Sequence, residues 1–499
     1  MKKVIVIGAG VSGLASAIDL LSKGYEVELF EKQSGPGGKM DQIQSNGFTF
    51  DIGPSIVMMP DIYKEVFTKA NKRYEDYIEF IRLDPSLTVF FHDEMDYSLD
   101  VSCDMSQFIP MLEKINPKDA HGFLRYLENI YGRYLNAKEN FILKSFNHPR
   151  DFYNLKTLHN AYKLKTFNSA SASIEKYVDS KYISQMLAFQ TLYIGVSPNN
   201  GPSLYTIIPM IEMFYGVYYL KGGMHAMAKA MEKLFLDLNG VIHYNHPVSE
   251  ILIENKQAVG IIANDQKVMA DKIVCSADFP YVMKSLIKDD KDKGKYVDQK
   301  IDRMKYSCST FVMYVETSRK YENAHVHNFV IANAFEENIN QIFNGERIND
   351  PSFYVYIASK IDESMAPKGQ DGLYILIPVA EHSVSQEDWD EHTKAYFKEI
   401  VLKKLEKTET FKTIRQDIKH ISYMSPDDFS EKYNAYNGAC FGLQPILKQS
   451  NHLRPQSKAL KCEGLYFCGS SNHPGAGVPI AISSAYLATD ALIEDDQNA

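Results

Sequence analysis

The sequence predicts an α/β protein: a Rossmann-like nucleotide-binding domain, discontinuous in the chain, with an inserted α+β domain. Three observations carry this. An apolar run over residues 4–7 passes through Gly8, Gly10 and Gly13 into a helical pattern and on to a second apolar run that ends at Glu31. A mononucleotide-type pattern resumes at Gly222-Gly223, and a last apolar run over 465–468 leads into a glycine-rich loop and a terminal helical segment. Buried strands alternating with helices around glycine turns mark a largely parallel sheet covered on both faces.

The opening unit has the size of a βαβ motif. Helical spacing runs to about Leu21, Gly24 stops it, and residues 25–30 read as the next strand. After Gly53-Pro54 the chain changes to longer segments rich in Tyr, Phe and Met, with helical periodicity over 106–113 and 174–187. Beyond Gly222 a helix over 224–238 precedes strands at 241–244, 250–254, 258–263 and 272–276, with turn signals at Asn255-Lys256 and Asn264-Asp265. These patterns divide the chain into a nucleotide-binding domain of residues 1–90, 222–277 and 416–499, and a substrate and membrane-facing domain of residues 91–221 and 278–415.

With 499 residues, 23% charged and 45% hydrophobic, the chain suits two or three domains around a large core. A net charge of -9 without a Lys or Arg cluster argues against nucleic acid as a partner. The six cysteines form no Cys-x-x-Cys pair and no zinc spacing, and the chain starts on a strand, so a reducing, cytoplasmic-side location and no metal are expected. His325 and His327 flank one valine and lack further ligands. Spanning a bilayer takes roughly 20 apolar residues. The run 202–220 is broken by Pro209 and Glu212, and 467–489 is rich in Gly, Pro and Ser, so neither reads as a span. Peripheral attachment stays open, as does the oligomeric state.

Glycines at 8, 10 and 13 permit a tight turn, backbone approach to a pyrophosphate, and close packing of helix on strand, while the helix N-terminus supplies N–H groups. Glu31, closing the next strand, can accept both ribose hydroxyls and would repel a 2′-phosphate, which leaves NAD or FAD. The Gly37-Gly38-Lys39 loop can bring backbone and ammonium to the flavin side of the pyrophosphate. The segment Gly469 to Ile480, glycine-rich before a helix, can meet the ribityl chain or the pyrimidine edge of the ring. Together the three elements point to FAD.

The residues Val6 to Leu14, Gly37 to Lys39, Gly47 to Ser55 and Asn472 to Pro479 resemble the carotenoid and phytoene desaturases of the flavin amine oxidase superfamily over essentially the whole chain. Within that family, Thr191 to Gly195, Gly201 to Tyr205 and Ile207 to Met213 look closest to the bacterial members acting on C30 precursors. The resemblance implies ribose binding by Glu31, pyrophosphate binding by Gly10, Val11, Ser12 and Gly13, and contacts from Gly38 and Lys39. It also implies an adenine contact from the Val248 backbone and flavin contacts from Gly469, Gly477 and Val478. Many family members continue Gly-Ile-Pro-Gly where this chain has Gly477-Val478-Pro479-Ile480, which marks a narrower subfamily or a loop seated differently.

Such an activity removes a hydride equivalent and a proton from a C30 polyene precursor, dehydrosqualene (4,4′-diapophytoene), held in a dry apolar tunnel at a membrane surface. The 32 Tyr and 27 Phe suit a tunnel or an ordinary core, and Met58, Met59, Met210 and Met213 read as core. His473 is the candidate catalytic base, against a role in ordering its loop. Asp51 is assigned to the turn before Gly53, Glu212 is left ambiguous, and Cys440 is read as a structural thiol. Oxidation of a terminal methyl, polyene isomerisation and lipid binding without redox chemistry are the alternatives.

Overall fold

The structure is a computed structural model that describes residues 2–92, 97–147, 149–164 and 168–498. Its nucleotide-binding half rests on a five-stranded parallel sheet in the order Leu465–Phe467, Lys272–Cys275, Lys3–Ile7, Glu26–Phe30, Val241–His243. The central strand Lys3–Ile7 shows why the run is apolar throughout. Successive side chains point to opposite faces, so Val4 and Val6 enter one core while Ile5 and Ile7 enter another. The first core lies under helix Val11–Ser22, which packs on helices Met224–Asp237 and Val478–Gln497. The second is closed by the antiparallel sheet Val248–Glu254, Gln257–Ala263, Gln266–Met269.

The other half is a seven-stranded sheet ordered Ile418–Met424, Ser309–Thr317, Gly372–Val379, Phe353–Tyr356, His327–Ile331, Leu87–Phe91, Tyr97–Val101. Its pairs are antiparallel except Leu87–Phe91 with His327–Ile331. Strand Ser309–Thr317 again alternates. Phe311, Met313 and Val315 pack with Trp389 and helix Glu391–Leu405, while Val312 and Tyr314 face the helices Pro117–Ala137, Lys181–Phe189 and Ile207–Tyr215.

Two boundaries drawn from the sequence move. Leu87–Phe91 and Ile418–Met424, placed with the nucleotide-binding segments 1–90 and 416–499, both belong to the seven-stranded sheet. Their partners lie far along the chain, at His327–Ile331 and Ser309–Thr317, and such pairing leaves no local pattern. The helix expected over 174–187 is two helices, Ala170–Ile174 and Lys181–Phe189. The Asp119 carboxylate accepts the N–H groups of Asp179 and Ser180 at 2.8 and 2.7 Å, and so starts the second helix afresh. Among the described residues no helix is long and apolar enough to cross a membrane.

Candidate functional site

The first glycine loop is shaped by hydrogen-only positions. Gly8 has φ 96°, a turn conformation that side chains rarely adopt, and its N–H donates to the Phe30 carbonyl at 2.8 Å. A Cβ on Gly13 would lie 1.9 Å from the Gly8 carbonyl oxygen, so helix and strand meet there with nothing between them. A Cβ on Gly10 would meet nothing within 4 Å and would project into an open cavity. Gly13 does not line that cavity. Its contribution is packing, so of the four residues assigned to the pyrophosphate only Gly10, Val11 and Ser12 face the space.

The second loop joins the first directly. The Gly37 N–H donates to the Ala9 carbonyl at 2.9 Å, and a Cβ on Gly38 would lie 3.4 Å from the Gly10 Cα. Glu31 is buried at the edge of this double loop, Oε2 accepting the Ala9 N–H at 2.7 Å and Oε1 the Gln33 N–H at 2.8 Å. Each carboxylate oxygen keeps a second lone pair. Val248, which opens the antiparallel sheet, lines the same cavity. The Lys39 ammonium donates to the Cys440 carbonyl at 2.7 Å and ties the loop to the far wall.

From this cradle the cavity, about 570 Å³, runs past the C-terminal loop into an apolar chamber. That volume lies within the range of small-molecule and cofactor sites. Gly469 follows strand Leu465–Phe467, and Gly477 precedes helix Val478–Gln497; Gly469, Gly477 and Val478 all line it. The N–H groups of a helix's first turn have no partners within the helix. The chamber beyond is walled by Phe141, Tyr193, Ile211, Phe329, Tyr354 and Tyr374. Met58 and Met59 join this wall, whereas Met210 and Met213 are core.

Arg454, which no sequence pattern singled out, holds the C-terminal loop in place. It is 1% exposed and donates to four carbonyls: Asn472 at 3.0 Å, Ser470 at 2.6 Å, Leu443 at 2.9 Å and Gln449 at 3.2 Å. Burial lowers its pKa to about 10, which leaves it charged at neutral pH. A lone arginine in a polar loop carries no sequence signal of this kind.

His473 faces the cavity, and its Nε2 bonds serve the loop-ordering role. Nε2 donates to the Phe141 and Lys144 carbonyls at 2.9 and 3.0 Å, and burial lowers the ring's pKa to about 4. Such a ring is a weak base; Nε2 is committed to the wall of the chamber, while Nδ1 is buried without a partner. Asp51 differs from its assignment. Instead of fixing the turn before Gly53, its carboxylate accepts the His225 N–H at 3.4 Å at the start of helix Met224–Asp237. Burial raises its pKa to about 6. The Cys440 thiol lies 3.2 Å from the Thr310 hydroxyl and is pushed up by burial. His327 is buried against the Tyr354 hydroxyl at 2.6 Å, whereas His325 lies 3.7 Å from Asp100. Among the described residues no three His, Cys, Asp or Glu side chains converge on a metal position.

A glycine cradle, a buried carboxylate and a helix N-terminus opening on an apolar chamber define a nucleotide-cofactor oxidoreductase. Residues 11–493 match the family described as flavin containing amine oxidoreductase, and the chain belongs to it. A 4,4′-diapophytoene desaturase (4,4′-diaponeurosporene-forming) of Staphylococcus haemolyticus is 44% identical over 496 residues, 99% of each chain. Among solved structures, an oxidoreductase from Methanosarcina mazei matches with a TM-score of 0.67 at 18% identity, covering 99% of this chain and 100% of that one. Putrescine oxidase bound to putrescine matches at 0.64 and 11%, covering 99% of each. These two share the fold.

The residues fit a flavin nucleotide. The open space over Gly10 has room for a pyrophosphate, the Glu31 oxygens keep lone pairs for ribose hydroxyls, and the Val478 helix start lines the same cavity.

Proposed function

We propose that this enzyme is an FAD-dependent desaturase of a C30 carotenoid precursor, converting 4,4′-diapophytoene toward 4,4′-diaponeurosporene. The observation that carries the reading is the continuity of one cavity from the Glu31 cradle to a chamber of aromatic and aliphatic side chains. A substrate without polar groups can be held only by burial, at about 0.8 kcal/mol per buried CH₂. The 44% identity across both chains supports the choice of substrate.

When bound, the flavin supplies the two-electron acceptor that no side chain provides. The chain's own part is positional. Glu31 fixes the adenosine end, Arg454 and His473 stiffen the loop beneath the chamber, and Phe329, Tyr354 and Tyr374 exclude water from the reacting bond.

The route in for the substrate is a lipid surface. Next to Phe141 and Ile142 of the chamber wall, Leu143 is 51% exposed, and Tyr153, Leu155, Leu158 and Tyr162 follow at 61%, 89%, 44% and 77%. Exposed Leu and Tyr at this density, interleaved with Lys144, Lys156 and Lys163, suit the headgroup boundary of a bilayer. The protein thus sits peripherally on the membrane with its chamber facing lipid.

Expression in a host that makes only dehydrosqualene tests the reading. Yellow conjugated C30 products are expected. Unchanged substrate would overturn it, and an oxygenated end group would instead assign terminal oxidation.

A further inference from the structure

Desaturation removes two hydrogens, and the flavin accounts for one as hydride. The proton on the neighbouring carbon needs its own acceptor, and His473, with a pKa lowered to about 4, is a weak one. A polar cluster backs the apolar wall of the chamber at Tyr193. Glu212, on helix Ile207–Tyr215, is 0% exposed and accepts from Gln190 Nε2 at 2.8 Å. Its other oxygen has no partner, nor does the Gln190 carbonyl. Tyr193 follows Gln190 on the single turn Gln190–Ile194; its hydroxyl is buried without a formed hydrogen bond and its ring lines the chamber. That ring stacks on Phe329 with centroids 5.9 Å apart.

Each unpaired buried polar group costs about 1–3 kcal/mol, and an apolar wall would avoid that cost. A structural tether explains the Gln190 bond but not the Glu212 oxygen and the Tyr193 hydroxyl, both buried without a partner.

Resting on the desaturase reading, we infer that Tyr193 takes the proton of the desaturated bond and passes its own to Glu212. The balance is complete. One C–H bond breaks with its electron pair leaving as hydride to the flavin. The adjacent C–H bond breaks with its pair forming the new C=C. Its proton arrives at Tyr193 Oη as the Tyr193 proton moves to the carboxylate. A proton next to an electron-deficient carbon is acidic enough for a phenol backed by a carboxylate. Gln190 is a positioning residue that holds the carboxyl toward the ring.

Burial raises the Glu212 pKa to about 8, so the ionised form grows as pH rises through that value. The other titratable groups acting with it are Tyr193, Tyr126 and the Cys103 thiol, all themselves raised by burial.

The test compares Glu212→Gln and Tyr193→Phe with the wild type as flavin-loaded proteins. Glu212→Gln keeps an acceptor for Gln190 and removes the base. At saturating 4,4′-diapophytoene it is expected to slow anaerobic flavin bleaching by roughly 10²-fold or more. Flavin content, thermal midpoint and substrate affinity should stay unchanged, and the rise of rate with pH near 8 should vanish. Difference infrared spectra of substrate-free protein should show a protonated carboxyl band that titrates near pH 8 and is missing in Glu212→Gln. An unchanged rate and pH profile in Glu212→Gln, or no such band in the wild type, would overturn the relay. Should Glu212→Gln fail to fold, the Tyr193→Phe rate and pH profile decide alone. A wild type that leaves the substrate untouched would defeat the desaturase reading instead.

Discussion

His473 shows how a residue's place can be legible in sequence while its partners are not. Its place in the C-terminal loop was legible, because the glycines around it announce a ligand-facing turn. Its bonds to the Phe141 and Lys144 carbonyls were not, since they join segments over 300 residues apart. The buried ring carries a pH signature. Its native pKa of about 4 lies below the ordinary histidine value, so between the two the unfolded chain binds the extra proton. The contribution of His473 to stability is therefore complete above about pH 6.5 and is lost as pH falls toward 4. Asn at this position keeps a donor for a carbonyl and does not titrate. The stability difference between wild type and His473→Asn should hold constant above pH 7 and shrink by roughly 2–3 kcal/mol on going to pH 4.5. Denaturant midpoints across that range check it; a difference that does not move with pH would show the ring charged in the native protein.

At the scale of elements, the sequence revealed what depends on local pattern. The strand, glycine turn and helix at the start fell into place because alternation, Gly8 φ and the Gly13 contact are all consequences of a few adjacent residues. The helix break between Ile174 and Lys181 escaped, because the capping carboxylate comes from Asp119 on another helix. The exposed face also escaped. Helix Leu155–Lys163 is amphipathic in the ordinary way, and only its surroundings show that Leu155, Leu158 and Tyr162 have no core to enter. If lipid covers them, Leu155→Glu combined with Tyr162→Glu should lower binding to anionic vesicles about tenfold or more, since each buried side chain contributes about 1.5–3 kcal/mol. The fold should hold, because exposed substitutions away from caps and cores usually stay within about 0.5 kcal/mol. Vesicle sedimentation beside a thermal melt separates the two; equal sedimentation of variant and wild type would remove this face from the membrane proposal.

At the scale of the molecule, the proposed nucleotide site exists only when distant stretches have assembled. Strands Lys3–Ile7, Lys272–Cys275 and Leu465–Phe467 lie side by side, Val248 comes from a further sheet, and Arg454 ties the closing loop across four carbonyls. The glycine fingerprint and Glu31 were visible in the sequence because they are local; the ordering of the third stretch against them was not, since strand order is set by long-range pairing. A ligand that binds only the assembled state stabilises it by mass action, about 2.7 kcal/mol at a hundredfold excess over Kd. Added FAD should therefore raise the unfolding midpoint of flavin-stripped protein in a concentration-dependent way. Gly13→Ala separates assembly from mere folding. Its methyl would stand 1.9 Å from the Gly8 carbonyl oxygen, a backbone atom that cannot swing aside, so helix Val11–Ser22 must back away from the strand. Overpacking of this kind costs about 1–3 kcal/mol, which a chain of this size can survive. If the helix start holds a pyrophosphate, its displacement breaks that contact, so Gly13→Ala should fold with a lowered midpoint that FAD fails to raise. Calorimetry with and without FAD reads both effects, and a Gly13→Ala protein stabilised by FAD as strongly as the wild type would show that the helix start does not hold the cofactor.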